Sequence, residues 1–121
     1  MKVLAIQGSP RKNGNTATLL KHYIQGLEKS HSDAEIKLIN VAEKNIQSCR
    51  GCQVCRNSQG KCAINDEMQE IYPKILEADL IIMATPIYWW SITAQAKQFL
   101  DRFYAINFGH NFKGKKFVLL M

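Results

Sequence analysis

Cys49-x2-Cys52-x2-Cys55-x6-Cys62 is the most specific chemical signal in this 121-residue chain. Three thiols within seven residues can grip one compact metal site, and the fourth returns after a longer loop. Gly51 and Gly60 permit tight turns and open N–H contacts to sulfur, while Arg50, Arg56 and Lys61 offset anionic thiolates. The bacterial ferredoxin run is the nearest pattern, but it has three residues before its fourth cysteine and then a proline; here there are six and then Ala63. The spacing argues for a [4Fe–4S] cluster, with zinc on four thiolates and redox-active or unoccupied thiols as open alternatives. Structural disulfides fit less well, because nothing at the N-terminus reads as a secretory leader and cytosolic thiols stay reduced.

Two further loops carry binding chemistry. Gln7 to Thr16 (Q-G-S-P-R-K-N-G-N-T) lies between a strand-like run and a helix start, where open backbone N–H groups and the helix dipole favour an anion. Ser9, Asn13, Asn15 and Thr16 supply short polar side chains, Arg11 supplies charge, and Gly8 and Gly14 allow backbone approach, which makes a phosphate cradle. The plainer alternative is a turn whose Asn15 or Thr16 only caps the helix. Neither the Walker A pattern nor a G-x-G-x-x-G fingerprint is present, which removes P-loop ATPase and ordinary dinucleotide readings. Pro86-Ile87-Tyr88-Trp89-Trp90-Ser91 follows a second strand-like run and opens at the same sheet edge. Its aromatics can wall a flat ring, with Ser91 and backbone amides on the polar edge, or plug the core or a subunit contact. A phosphate cradle beside a planar pocket points to a mononucleotide.

The apolar pattern supplies the elements that hold these loops. Lys2–Ile6 reads as a buried strand, and Ala17, Leu20, Ile24 and Leu27 as one face of a helix. Ala34–Val41 alternates as an edge strand, Met68, Ile71, Tyr72 and Ile75 form a helix face capped by Asn65 or Asp66, and Pro73 should kink or restart that helix. Ala78–Thr85 fits a central strand stopped by Pro86; from Ile92 a helix buries Ala96, Phe99, Leu100 and Phe103, and Phe117–Met121 opens a fourth strand. Strand and helix alternate throughout, so the expectation is one α/β domain over residues 1–121 with a parallel, doubly wound sheet. The sheet stops after its fourth strand, so a C-terminal part of the fold, or a partner subunit, is expected to cover it.

Composition narrows the classes further. Forty-six per cent apolar and 21% charged residues are ordinary for a globular domain and exclude a disordered or fibrous chain. The five-residue run Leu80–Ala84 falls far below the roughly 20 needed to cross a bilayer, so no membrane partner is expected. The net charge of +6 is scattered over Arg11/Lys12, Arg50/Arg56 and Lys113/Lys115/Lys116 without interleaved aromatics, which argues against nucleic acid. His22, His31 and His110 are scattered too, and no catalytic acid or base is assigned.

Gly8-Ser9-Pro10-Arg11-Lys12-Asn13-Gly14-Asn15-Thr16, the cysteine loop ending Gly60-Lys61-Cys62, and Thr85 to Gln95 with Lys97-Gln98-Phe99-Leu100-Asp101-Arg102 together resemble the NADPH-dependent FMN reductase and iron–sulfur flavoprotein group. The resemblance implies a flavodoxin-like fold, FMN phosphate at Ser9, Arg11, Asn13, Asn15 and Thr16, and the isoalloxazine against Pro86, Ile87, Tyr88, Trp89, Trp90 and Ser91. It implies a [4Fe–4S] cluster on Cys49, Cys52, Cys55 and Cys62. The function implied is a cytoplasmic FMN-dependent oxidoreductase that passes electrons between NAD(P)H or a reduced protein donor and an acceptor, as a homodimer or homotetramer. The basic balance suits an acidic redox partner such as ferredoxin. An FMN or quinone reductase without a cluster, a non-enzymatic flavodoxin-like carrier, and a zinc-stabilised interaction module are the alternatives.

Overall fold

The computed structural model describes residues 1–110 and 112–121. Strand β1 (Lys2–Gln7) is apolar on both faces from Val3 to Ile6 and lies inside the sheet, where both faces are covered. Helix α1 (Asn15–Ser30) returns the chain to β2 (Glu35–Asn40), which pairs parallel to β1 with Val3 opposite Ile36. A 3-10 turn (Val41–Glu43) leads into the cysteine loop, which contains the short helix α2 (Val54–Asn57). Helix α3 (Met68–Glu77) and strand β3 (Leu80–Ala84) follow, then a small hairpin of β4 (Ile87–Tyr88) and β5 (Ser91–Ile92). Helices α4 (Ala94–Asp101) and α5 (Phe103–Ile106) precede the last strand, β6 (Lys116–Leu120).

The main sheet is parallel throughout, in the order β2-β1-β3-β6. These are the first four positions of the flavodoxin-like order, so the doubly wound expectation holds. Helix α1 packs on the face carrying Val3, Ala5, Leu80, Ile82 and Ala84, while Met68, Ile71, Ile75, Phe99 and Ile106 pack on the face carrying Leu4, Ile6, Ile81 and Met83. Along β6 the coverage is uneven. Phe117 and Leu119, opposite Ile81 and Met83, are about half exposed, whereas Val118 and Leu120 reach the α1 layer.

Several boundaries differ from the apolar pattern, each for a local reason. Helix α4 starts at Ala94 because Ile92 is taken by β5 and Thr93 supplies the cap, its hydroxyl accepting from Ala96 N. That helical stretch breaks at Arg102, between α4 and α5. Helix α3 runs continuously through Pro73 and starts after Glu67; Asp66 still accepts from Met68 N at 3.0 Å, as an Asx turn rather than a cap. Among the described residues no helix is long and apolar enough to cross a membrane.

Candidate functional site

In this order the winding of the chain reverses between β1 and β3, and the crevice beyond the carboxyl ends of those strands is where open α/β sheets bind ligands. Both loops leave from that point and are joined through Gly8. Its N–H donates to Ala84 O at 2.7 Å, and its carbonyl accepts from the Thr93 hydroxyl. A Cβ at Gly8 would stand 2.9 Å from Ala84 O and 3.0 Å from the Ala96 Cβ, so backbone touches backbone here because the residue is glycine. Thr93 N donates in turn to the Thr85 hydroxyl at 3.3 Å, and Thr85 N to Leu120 O at 2.9 Å. Thr93→Ala, which deletes both the α4 cap and the bond to Gly8, is expected to cost about 1–2 kcal/mol in urea unfolding. Thr93→Ser should keep most of that; equal losses in the two variants would mean that the methyl group, not the hydroxyl, matters.

The first loop ends on an open helix terminus. Gly14 caps α1 without a side-chain bond, the first turn has no acidic residue, and Thr18 N is the first to bond back, to Gly14 O at 3.1 Å. The N–H groups of Asn15, Thr16 and Ala17 therefore precede any intrahelical partner, which is the arrangement that takes an anion. Ser9 is buried and its hydroxyl accepts from Arg11 N at 3.1 Å, which turns the loop; the Arg11 side chain is exposed. Asn13 lies on the α1–β2 side of the loop, in a cleft with Gln7, Lys12 and Asn40. Gln7 Nε2 donates to Arg11 O at 3.3 Å, and Gln7 Oε1 is a buried acceptor with no partner among the described residues. An orphaned acceptor under an open helix terminus, next to a glycine that admits no Cβ, fits a bound polar ligand.

Residues Ile87 to Ile92 form the β4–β5 hairpin beyond the end of β3. Trp89 and Trp90 occupy the two-residue turn, both at positive φ (40° and 77°), with 91% and 89% of their surfaces in solvent. These side chains do not wall an enclosed cavity within the described chain; what they offer is an exposed aromatic edge beside the crevice. Pro86 is half-buried at its base.

All four cysteines line one shallow recess open to solvent, together with Asp101, Arg102 and Tyr104. Cys49 and Cys52 are exposed, Cys55 is buried in α2 and Cys62 is half-buried, and none is in a disulfide. Among the described residues no three metal-binding side chains converge closely enough for one ion, so the thiols share a recess rather than a point. The donor set is four soft thiols spread along the loop, and as placed they do not form one cluster-holding group. Gly51 sits between Cys49 and Cys52 at φ 64° with open space around it, and Gly60, at φ 88°, packs where a Cβ would fall 2.2 Å from Phe108 O.

Arg102, quoted in the sequence only within a motif, and Asp66, read there only as a helix cap, organise the floor of the recess. Their side chains are 1% and 0% exposed and form a two-pronged pair, Nη1 to Oδ2 at 2.6 Å and Nη2 to Oδ1 at 3.1 Å. Arg102 also donates to Gln47 O at 2.9 Å, to the Tyr72 hydroxyl at 3.3 Å and to Cys62 Sγ at 3.4 Å. Burial alone would raise the Asp66 carboxyl, but the Arg102 bond and charge, with N–H groups of Gln47 and Met68, outweigh it and hold it below its ordinary value. Burial, and then the neighbouring Cys62, pushes the Tyr72 phenol well above its ordinary value. The available sequence signal was a charge in the buried phase of α4, three residues after Phe99 and between Leu100 and Phe103.

The model of the NADPH-dependent FMN reductase family matches residues 1–121. An iron–sulfur flavoprotein of Archaeoglobus fulgidus is 38% identical over 117 residues, which are 95% of this chain and 51% of that protein. One from Methanocaldococcus jannaschii is 36% identical over 115 residues, 95% of this chain and 58% of that protein. Among solved structures, the apo form of the NADH:FMN oxidoreductase EMOB superposes with a TM-score of 0.58 at 32% identity, over 84% of this chain and 49% of that one. The chain thus spans about half the length of these relatives.

Proposed function

The chain belongs to the NADPH-dependent FMN reductase family, and from that premise we propose that it serves a flavin-dependent oxidoreductase that binds FMN in the β1–β3 crevice. The observation that carries this reading is the uncapped start of α1, joined through Gly8 to the loop that follows β3. Open N–H groups of Asn15, Thr16 and Ala17 receive the phosphate, with Ser9, Asn13 and the exposed charge of Arg11 around it. The edge Pro86 to Ser91 takes the isoalloxazine, with Tyr88, Trp89 and Trp90 reducing the access of water to it. When bound, FMN supplies the exchange between two-electron transfer with a nicotinamide and one-electron transfer with a second centre. No side chain of this chain is required as a nucleophile or as a proton donor.

Cys49, Cys52, Cys55 and Cys62 hold that second centre, a [4Fe–4S] cluster; the number and spacing of the thiols, their shared recess and the names of two relatives support it. The donor is NAD(P)H or a reduced protein, in a cytoplasmic setting that keeps the thiols reduced, with two or four copies in the working assembly. A second reading, an FMN or quinone reductase without a cluster, is favoured by the absence of three converging ligands among the described residues. A visible spectrum with metal analysis on protein purified without oxygen separates the two. Flavin bands over a broad iron–sulfur shoulder with about four irons per chain are expected, and flavin without iron would leave the plain reductase. Cys52→Ser should then lose iron and keep flavin, and Arg11→Ala should weaken FMN binding several-fold; unchanged affinity in Arg11→Ala would remove Arg11 from the phosphate site.

A further inference from the structure

We propose that Gln7 is a positioning residue of the phosphate loop, kept at the end of β1 for ligand binding and at a cost to the stability of the fold. This rests on the FMN reading above and adds to it the group that shapes the cradle. Pairing with β2 and β3 holds the Gln7 main chain on both sides, opposite Asn40 and Ala84. The alternation of β1 puts its side chain on the face of Val3 and Ala5, the α1 side, where it is 4% exposed. Its Nε2 donates to Arg11 O at 3.3 Å, and that carbonyl also accepts from Gly14 N at 3.4 Å. Arg11 N donates to the Ser9 hydroxyl oxygen at 3.1 Å. The main chain of Arg11 is thus held at both its N–H and its carbonyl. Gln7 is the tie that joins this turn to the sheet, next to Gly14, the cap of α1.

The orientation of the amide follows from that bond. Turned over, its oxygen would face the Arg11 carbonyl, acceptor against acceptor, so the N–H end points to Arg11 and the oxygen away. Among the described residues that oxygen is the only buried side-chain nitrogen or oxygen without a partner. A buried acceptor without a donor lowers stability, and an apolar side chain of the same length would bring none. The residues before it on the same face, Val3 and Ala5, are apolar and fully covered. Packing alone therefore favours an apolar residue here, and what glutamine adds is the bond to Arg11 O. That bond ties the end of β1 to the turn that opens α1, where the N–H groups of Asn15 and Thr16 take the phosphate. Without it the turn is held by Ser9 and Gly14 alone, and part of the binding energy of the phosphate is spent on ordering the loop.

The test compares FMN with riboflavin, the same flavin without its phosphate, by flavin fluorescence titration, beside urea unfolding of the chain alone. Gln7→Met, close in length and apolar, is expected to leave the urea midpoint unchanged or raise it. It should weaken FMN about tenfold and leave riboflavin as it was. Gln7→Glu, which puts an oxygen where the donor stood, should weaken FMN at least as much. A lower urea midpoint in Gln7→Met would overturn the claim that the amide is kept against stability. Unchanged FMN affinity, or equal losses for FMN and riboflavin, would overturn the role of Gln7 and leave the FMN reading standing. A natural chain that binds neither flavin, or both equally, would overturn the phosphate site and this inference with it.

Discussion

Asp66→Ala is expected to destabilise the fold by about 3–5 kcal/mol, the cost of leaving a buried guanidinium without its partner. Three segments meet on this pair. Gln47 lies before the cysteines, Asp66 and Met68 open α3, Tyr72 is one turn further on, and Arg102 joins α4 to α5. Removing the carboxylate also strands the N–H groups of Gln47 and Met68, so the loss exceeds that of a surface pair, worth ~0–1 kcal/mol. A dependence on pH accompanies it. The folded chain protonates Asp66 less readily than the unfolded chain does, so the pair's contribution is complete above the ordinary value of 3.8 and is lost as pH falls through the lower folded value. Urea unfolding at neutral pH and again near the foot of that range should therefore give a gap between the natural and variant chains that shrinks in acid. A neutral-pH difference below about 1 kcal/mol would mean that the pair is not enclosed in solution.

Gly8→Val is the second large effect, and it acts on binding and stability together. The added carbons meet Ala84 O, Ala96 and Thr85, two of them backbone-anchored neighbours that cannot rotate aside. Overpacking of this kind costs about 1–3 kcal/mol, and relief comes only by parting the phosphate loop from the loop after β3. FMN affinity should fall at least about tenfold, because both halves of the site are hung from this residue. Flavin titration by fluorescence measures it, and retained affinity in a folded variant would show that the two loops do not act as one site. Gly26→Ala gives the opposite sign. Nothing lies within 4 Å of its missing Cβ and the residue sits inside α1, so alanine should stabilise by ~0.5–1 kcal/mol.

The strands of the main sheet were legible because their signal is local: Lys2–Gln7 and Leu80–Ala84 are apolar on both faces, which belongs to the middle of a parallel sheet. The alternation of β2 marked it as an edge strand. The loop between β1 and α1 was legible from the same kind of evidence, small and polar residues between a strand end and a helix start. What pattern did not reveal depends on partners distant in the chain. Arg102 has meaning only opposite Asp66 and Cys62, 36 and 40 residues away. Thr93 was read as lying inside a helix that begins at Ile92, and neither its cap nor its clamp on Gly8, 85 residues earlier, was legible. The short hairpin at 87–92 was hidden because its turn uses two tryptophans at positive φ, where glycine or asparagine is the usual marker. The four cysteines were seen as a set by spacing, but spacing says nothing about how far the loop stands open.

That hairpin makes the protein its own optical reporter. Its turn holds both tryptophans of the chain, Trp89 and Trp90, and no indole lies in the core. Emission should therefore be that of water-exposed indole from the start, and unfolding should change its colour little. Loss of the fold is better followed by circular dichroism. What the indoles will register is anything that settles on the edge they occupy: a flat, visible-absorbing ring there would drain their excited state by energy transfer. A single quenching curve then follows occupancy of that edge, with no label added.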